Sequence, residues 1–253
     1  MRSILSFLTR IPIRTGDMER AARQQYLFPL VGAFIGFVVY LVGLITLSCF
    51  PFEIVTILTL LALYGIIGLI HLDGLADFSD GVMAFGDRKK KVAVMKDPKV
   101  GIAGIFSVLF ILLLTFFSLK SIIETGTNKI LFGFTIPLYP LAVACIVSEV
   151  SAKLGMNTCI FLGRKVHDGL AAIFIERLTA TKFAVAFLSA VVISLLITGL
   201  FFFVVLVGVF VGMVTVAIAN KNFGGVTGDV IGASNELART ATLLVWIAIL
   251  WLR

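Results

Sequence analysis

Residues 54–81 read IVTILTLLALYGIIGLIHLDGLADFSDG, and this stretch decides the fold class. Its first nineteen residues are apolar or uncharged, which is the length and composition that a helix needs to cross a bilayer. The rest of the stretch places Asp73, Asp77 and Asp80 at spacings of four and three residues, so three carboxylates share one face of a helix. The sequence therefore predicts a membrane helix with an acidic cluster at its C-terminal end.

This acidic cluster needs cations to neutralise it. At roughly 6 Å separation and an effective dielectric constant of about 20, each pair of like charges costs on the order of 3 kcal/mol. Ligands that are all oxygen suit a hard cation such as Mg²⁺, which also holds phosphate oxygens, and Gly74 keeps the helix surface low enough for a diphosphate to approach. The alternative is a polar helix end whose carboxylates are solvated. The role of His71 is open between a structural hydrogen bond and the orientation of Asp73.

The composition excludes an ordinary soluble domain. Hydrophobic residues make up 60% of the chain and charged residues only 14%, with a mean hydropathy of +1.11. We expect a single membrane domain over residues 1–253, in which residues 1–27 form an arm at the cytoplasmic surface. The three cysteines have neither disulfide nor metal-ligand spacing and are expected to be apolar fillers.

Seven stretches are apolar enough and long enough to cross a bilayer, which predicts an all-α, polytopic bundle of about seven transmembrane helices. The apolar run 183–219 is too long for one crossing, so we expect a tight hairpin near Thr198 and Gly199. The last stretch is the weakest because it contains Glu236 and Arg239. The predicted spans are residues 28–50, 54–72, 101–119, 130–147, 183–200, 201–219 and 230–252.

The predicted seven-span arrangement distributes the charged residues unevenly between the two sides of the membrane. Seventeen of the 21 basic residues fall on one side, in the N-terminal arm (Arg10 and Arg14 among them) and in the second, fourth and sixth connections. The opposite side holds only Lys120, Lys129 and Arg253. We expect a multi-pass protein of the cell (inner) membrane, and the positive-inside rule places its N-terminus in the cytoplasm and its C-terminus outside. This distribution of charge argues against a nucleic-acid partner. All eight aspartates fall at the same end, so the site is expected to face the cytoplasm: Asp17, Asp73, Asp77, Asp80, Asp87, Asp97, Asp168 and Asp229.

Two further stretches carry chemistry. In MKDPKVGIAG, residues 95–104, Asp97 is a candidate metal ligand or base and Lys96 or Lys99 a candidate phosphate contact; the alternative is a basic loop followed by small packing residues. In GGVTGDVIGASNE, residues 224–236, a helix that starts near Gly228 has Asp229, Gly232, Ala233 and Glu236 on one face.

Acids inside a membrane are usually functional, so Asp229 and Glu236 are candidates for the site. The alternative for Glu236 is a structural ion pair with Arg239 or Arg10. Arg10 itself is either a phosphate contact or a surface anchor. We also expect Glu149 to end the fourth span and to pair with Lys153 on the same helix face.

Taken together, these motifs resemble those of the cobalamin synthase family, the adenosylcobinamide-GDP ribazoletransferases. The matching patterns are HLDGLADxxDG at 71–81, MKDxxxGxxG at 95–104 and GGxTGDxxGAxxE at 224–236, in this order. FLTRIP at 7–12 and FPLVG at 28–32 also match, so the resemblance covers most of the chain.

The resemblance implies a Mg²⁺-dependent reaction of cobalamin nucleotide-loop assembly. The small-molecule substrates are adenosylcobinamide-GDP and α-ribazole or α-ribazole 5′-phosphate, and the products are adenosylcobalamin, or its phosphate, and GMP. We assign Mg²⁺ to Asp73, Asp77, Asp80 and Asp229, and proton transfer to Asp97 or Asp229. The predicted partners are these substrates and the lipid bilayer; self-association is left open. The predicted substrate contacts are Arg10, Lys96, Gly74, Gly81, Gly225, Thr227 and Glu236.

Two rival functions are weighed against this one. A CDP-alcohol phosphotransferase that makes lipids runs the same type of reaction, but its D-x-x-D-G-x-x-A-R pattern lacks the arginine here, because Ala84 is followed by Phe85. A cation-coupled transporter would have acids near the bilayer midplane and an internal repeat, whereas the sequence places its acids mainly at one end.

Overall fold

The computed structural model describes residues 2–12, 17–131, 133–136, 138–166 and 169–252. Three residues of the predicted charge plan, Arg14, Asp168 and Arg253, lie outside the described residues. The described chain is helical apart from one antiparallel hairpin of β1 (Lys129–Leu131) and β2 (Phe134–Ile136). The all-α class predicted from the sequence is therefore confirmed.

Twelve α-helices occupy the described residues, with short 3₁₀ helices at Gln25–Leu27 and Gly199–Val205. The α-helices are α1 (Arg2–Leu8), α2 (Met18–Arg23), α3 (Phe28–Leu47), α4 (Phe52–Ile67), α5 (Ile70–Met83), α6 (Arg88–Met95), α7 (Ile102–Thr125), α8 (Tyr139–Leu162), α9 (Leu170–Arg177), α10 (Ala180–Thr198), α11 (Leu206–Asn222) and α12 (Gly228–Trp251).

Helix α8 is the centre of the bundle, and nearly all of its residues are buried. Helix α3 runs antiparallel to it at very close range: a Cβ at Gly36 would lie 2.3 Å from the carbonyl oxygen of Cys145. Helix α12 also runs antiparallel to α8, with Trp246 donating to the carbonyl of Pro140 at 3.3 Å. The other helices are arranged around these three. Small residues such as Gly36 allow helices to approach closely, as is usual in membrane bundles.

The long apolar run turns back on itself, and the hairpin predicted near Thr198 is confirmed. Helix α10 ends at Gly199, whose φ of +63° is a conformation that glycine adopts without strain. Helix α10 is antiparallel to α8, since Phe183 stacks on Phe161 at one end and Tyr139 donates to the carbonyl of Ile197 at the other. Helix α11 then returns in the direction of α8.

The predicted span 54–72 is not one straight helix. It breaks after Ile67 at Gly68, whose φ is +74°, and α5 leaves α4 at an angle of 90°. The change of direction turns the acidic helix away from the axis of α4. The sequence predicted a continuous helix because Gly68 interrupts neither the apolar run nor its length.

By length and hydropathy, four described segments can cross a membrane, or five if the bent pair α4–α5 counts as one span. The run Ala180–Asn222, which contains the hairpin of α10 and α11, is counted here as one segment. The predicted number of about seven is therefore not confirmed. The predicted span 130–147 is wrong at its start, because Lys129–Leu131 and Phe134–Ile136 are paired strands and α8 begins at Tyr139. Helix α8 was misplaced because its second half contains buried polar residues, such as Lys153 and Asn157, which lower its hydropathy.

The outer surface is that of a membrane protein, because large apolar side chains face outward along whole helices. On α3 and α7 they recur at helical spacing on the face turned away from the core. The exposed set on these two helices is Leu30, Phe34, Phe37, Leu41, Ile45, Ile102, Ile105, Phe106, Leu109, Phe110, Leu113 and Phe117.

The basic segments predicted to share one side do meet at one end of the bundle. Arg177 donates to Glu19 at 3.1 Å, and Lys91 donates to the side chain of Asn222 at 2.8 Å. The amide of Val226 donates to the carbonyl of Arg164 at 2.7 Å. One member of the predicted set is corrected: Lys153 lies inside α8 and is fully buried, rather than in a connection.

Candidate functional site

The acidic end of the bundle is built where α5 crosses α12. A Cβ at Gly74 would lie 2.9 Å from the carbonyl oxygen and 3.0 Å from the Cα of Asp229, so only a glycine lets the two backbones meet here. On the opposite side of the crossing, a Cβ at Gly232 would lie 3.3 Å from the Cα of His71. This glycine crossing brings acids from two distant parts of the sequence to one place.

Three of the predicted metal ligands converge at this crossing. The Asp77 carboxylate is close enough to Asp229, Asp73 and Asp80 to be repelled by each, most strongly by Asp229. Asp73 is exposed, whereas Asp77 and Asp229 are partly buried. Thr227 caps the first turn of α12 and donates to Oδ2 of Asp229 at 3.3 Å. The crossing therefore concentrates negative charge on a surface that substrates can reach.

The fourth predicted ligand, Asp80, has a different environment. Its two carboxylate oxygens accept the amides of Gly101 at 2.7 Å and Gly104 at 2.8 Å, at the start of α7. A Cβ at Gly101 would lie 2.4 Å from Oδ1 of Asp80, so the carboxylate sits directly on the helix backbone. A carboxylate at a helix N-terminus satisfies unpaired amides and the helix dipole. Asp80 thus fixes α7 to α5, which does not support its prediction as a ligand.

The chemistry of this donor set fits a hard divalent cation. Asp73, Asp77 and Asp229 offer carboxylate oxygens alone, which is the ligand type that Mg²⁺ prefers. Among the described residues, no group of three or more histidine, cysteine, aspartate or glutamate side chains is drawn to coordination distance. The three acids are neighbours on α5 and α12.

The predicted phosphate contacts lie on segments before and after α5. Arg10 follows α1 at the bend between α4 and α5, where its amide donates to the carbonyl of Ile66 at 2.7 Å. Its exposed side chain packs over Gly68, and a Cβ there would meet the Arg10 stem at 3.0 Å. Lys96 is exposed at the end of α6, and the neighbouring Asp97 accepts the amide of Lys99 at 2.9 Å.

Three other predicted contacts have structural roles. Gly81 lies against Phe223 and Met95, since a Cβ would meet their side chains at 2.9 and 3.0 Å. A Cβ at Gly225 would lie 2.3 Å from the carbonyl oxygen of Arg164, which explains the glycine by the approach of the 164–166 segment. Thr227 is buried and acts as the N-cap of α12. These residues shape the end of the bundle on which the acids lie.

Glu236 is not exposed to a substrate but belongs to a buried ionic network. It accepts hydrogen bonds from Arg239, from Tyr64 at 3.0 Å and from the side chain of Asn235 at 3.0 Å. The alternative pairing of Glu236 with Arg239 is therefore the one observed, and its prediction as a substrate contact is corrected.

On α8, the same network includes Glu149 and Lys153. Arg239 also pairs with Glu149, and Lys153 lies 3.5 Å from Glu149, as predicted. Lys153 donates as well to the side chain of Asn235 at 2.7 Å. The predicted position of Glu149 at the end of a span is wrong, because it lies midway along α8 and is buried.

An aromatic cavity of about 210 Å³ lies beside the acids and was not predicted. Its wall includes Phe7, Phe28 and Phe174, from α1, α3 and α9, and it reaches Asp73 and Asp229. The ring centroids of Phe7 and Phe174 are 4.6 Å apart. The only sequence signal was the FLTRIP and FPLVG matches, which contain two of the phenylalanines but give no spatial relation.

His71 lines the same cavity. It is 7% exposed, and its Nδ1 has no hydrogen-bond partner among the described residues. A buried polar atom without a partner is rare and calls for a ligand or a water. The sequence left His71 open between a structural hydrogen bond and the orientation of Asp73, and among the described residues Nδ1 makes neither contact.

A second space lies on the other side of α5. It is an open apolar groove of about 590 Å³ between α5 and α7, lined by aliphatic residues such as Leu72 and Val108. Asp73 borders both this groove and the aromatic cavity. The acidic helix therefore stands between two spaces of different size and chemistry.

Comparisons with known proteins point to the same family as the sequence motifs. The family model described as cobalamin-5-phosphate synthase matches residues 1–247. The adenosylcobinamide-GDP ribazoletransferase of Thermococcus kodakarensis is 37% identical over 254 residues, covering 99% of each chain. That of Pyrococcus furiosus is 35% identical over 250 residues, covering 97% of this chain and 98% of the relative. That of Clostridium tetani is 28% identical over 256 residues, covering 98% and 96%. No solved structure matches the chain.

Proposed function

We propose, because the chain belongs to the cobalamin-5-phosphate synthase family, that it is an adenosylcobinamide-GDP ribazoletransferase of cobalamin nucleotide-loop assembly. In this reaction a hydroxyl oxygen of α-ribazole, or of its phosphate, bonds to the cobinamide-side phosphorus. The bond from that phosphorus to the bridging oxygen breaks, and GMP leaves. The observation that carries the proposal is the α5–α12 crossing, which joins acids of two family motifs in one surface site.

The cofactor we propose is Mg²⁺, held by Asp73, Asp77 and Asp229. When bound, it would supply positive charge that offsets charge on the diphosphate oxygens. Asp80 supports the site as a positioning residue, because it binds the first turn of α7 to the acidic helix. Arg10 lies at the bend that starts this helix and is our candidate for a phosphate contact.

We also propose that one of the chain's own carboxylates accepts the proton that the attacking hydroxyl loses. We assign this role to the carboxylate of Asp229, which accepts a hydrogen bond from Thr227 at 3.3 Å. Asp97 is the alternative base. It is exposed on a turn with Lys99, whereas Asp229 lies at the crossing itself. This difference favours Asp229.

We propose that this end of the bundle faces the cytoplasm. The argument is the positive-inside rule applied to the basic segments that meet there. The substrates would then reach the acids from the compartment that holds nucleotides.

A direct assay tests the proposed function. Purified membranes are incubated with Mg²⁺, adenosylcobinamide-GDP and α-ribazole, and GMP and the cobamide product are measured by chromatography. We expect GMP that depends on both substrates and is lost when EDTA removes divalent metal. GMP release without α-ribazole, or transfer that requires a CDP-alcohol instead, would contradict the assignment.

A further inference from the structure

We propose that the aromatic cavity binds the base of α-ribazole and so seats the attacking nucleoside against the acidic helix. This inference rests on the proposed function and adds a binding site to it. The base of ribazole is dimethylbenzimidazole, a flat bicyclic ring with two methyl groups and one unsubstituted ring nitrogen. The argument depends on the walls of the cavity, its polar groups and its position.

The walls suit a flat apolar ring. Phe7 and Phe174 stack with 4.6 Å between centroids, and Phe28 lies 6.2 Å from Phe7 and 6.1 Å from Phe174. Met156 and Ile160 of α8 add to the apolar lining. Aromatic faces and a methionine sulfur are favourable partners for another aromatic ring. The volume of about 210 Å³ is below the ~300 Å³ at which pockets for drug-sized ligands begin, so it suits a single base.

The polar groups of the cavity are few and lie at one end. The side chains that supply them are His71, Asp73 and Asp229. Guanine, the other base in the reaction, carries amide and amino groups along its edges that each need a partner when buried. Dimethylbenzimidazole presents methyl groups instead. Its one unsubstituted ring nitrogen can accept a hydrogen bond from Nδ1–H of His71, which has no partner among the described residues.

The position of the cavity fits an attacking nucleoside. A base among the phenylalanines places the attached ribose at the polar end, beside Asp229 and Asp73. The groove across α5 lacks aromatic walls, being lined by residues such as Leu72, Val108 and Leu112. Asp73 borders both spaces, so two substrates held on opposite sides of α5 would meet at the same carboxylate.

Binding of the free base tests the inference without turnover. Purified wild-type protein is compared with Ala171→Phe, which adds a ring inside the cavity, and with Ala184→Phe, which adds the same ring to the exposed face of α10. We expect equilibrium dialysis to detect binding of free dimethylbenzimidazole by the wild type and by Ala184→Phe. Ala171→Phe should weaken it about tenfold or more. Equal binding by all three proteins would overturn the inference.

Competition and kinetics separate the two bases. Dimethylbenzimidazole should compete with α-ribazole for the wild type, and guanosine should not. In the GMP assay, Ala171→Phe should raise KM for α-ribazole about tenfold or more and leave KM for adenosylcobinamide-GDP within about twofold. A rise in KM for adenosylcobinamide-GDP alone would assign the cavity to guanine and overturn the inference. Absence of GMP release by the wild type would contradict the proposed function instead, while the dialysis result still decides the cavity.

Discussion

Asp73 and Asp229 come from motifs more than 150 residues apart in the sequence and lie on the two sides of one helix crossing. If they hold the metal, Asp73→Asn and Asp229→Asn should each lower kcat by more than about 100-fold, since even outer partners of a metal are worth about 10- to 100-fold. The matched control is Asp87→Asn, at the exposed N-cap of α6, where asparagine caps equally well. Activity near wild type in either variant at limiting Mg²⁺ would contradict the metal assignment.

A substitution at Asp80 can distinguish a metal ligand from a residue that only holds α7 to α5. Asp80→Asn keeps one acceptor oxygen but turns an amino group toward a backbone amide, so one charged hydrogen bond is lost, at about 1.5–3 kcal/mol of stability. We expect denaturant unfolding in detergent to show this loss, while the Mg²⁺ concentration for half-maximal activity stays unchanged. A large rise in that concentration with normal stability would make Asp80 a ligand, as the sequence first indicated.

The crossing of α5 and α12 depends on the absence of a side chain at Gly74. Gly74→Ala places a methyl group 2.9 Å from a backbone oxygen that cannot rotate away, so the helices must separate. We expect a loss of about 1–3 kcal/mol from overpacking and a fall in kcat toward 100-fold, because displacement of about 1 Å at a site has that effect. Enzyme kinetics and thermal unfolding measure the two effects.

Gly65→Ala is the control for this prediction. Gly65 lies in α4, and a Cβ there would have nothing within 4 Å. The alanine should therefore be neutral or slightly stabilising through its higher helix propensity. Equal behaviour of the two variants would mean that the crossing tolerates a side chain.

A second prediction about helix packing concerns the ionic network between α8 and α12. Arg239→Met leaves Glu149 and Glu236 as buried carboxylates without their main partner, which we expect to lower stability by about 3–5 kcal/mol. Lys120→Met removes partly exposed ion pairs with Glu53 and Glu124 and should have a much smaller effect. Thermal unfolding in the same detergent compares the two, and equal shifts would contradict the role given to the network.

At the scale of elements, the sequence predicted α3 and α7 well because both are uniformly apolar and face lipid. It failed where a helix is deeply buried but its polar residues lower its mean hydropathy. Helix α8 is the most buried helix, yet Lys153 and Asn157 lower its hydropathy, so its predicted span began at residue 130 instead of Tyr139. The bend at Gly68 was missed because a single glycine within an apolar run does not reveal its φ.

For the site, the sequence could propose Asp73, Asp77 and Asp229 as candidates, because an acid on one face of a helix, or within an apolar segment, can be recognised from its own helix. The role of Asp80 and the aromatic cavity could not be found this way. Both depend on which helices meet: α7 brings its amides to Asp80, and α1, α3 and α9 bring their phenylalanines together. These contacts are properties of tertiary packing.

For the whole molecule, the orientation in the membrane can be measured with a native probe. Cys49 is exposed in the α3–α4 connection, at the end opposite the acids. A membrane-impermeant maleimide should label it in intact cells from outside. In a Cys49→Ala background, Lys89→Cys on α6 should be labelled only in inverted vesicles. The reverse pattern would place the acids outside and overturn the positive-inside assignment.

The pairing of charges within single helices has a consequence for biogenesis. Glu149 and Lys153 are one turn apart on α8, and Glu236 and Arg239 are one turn apart on α12. Each segment can therefore leave the translocon with its own counter-ion, which makes lipid insertion far less costly than for a lone charge. The contact between the two helices, Arg239 with Glu149, is then added to these pairs in the bilayer, so α12 can insert before it has packed against α8.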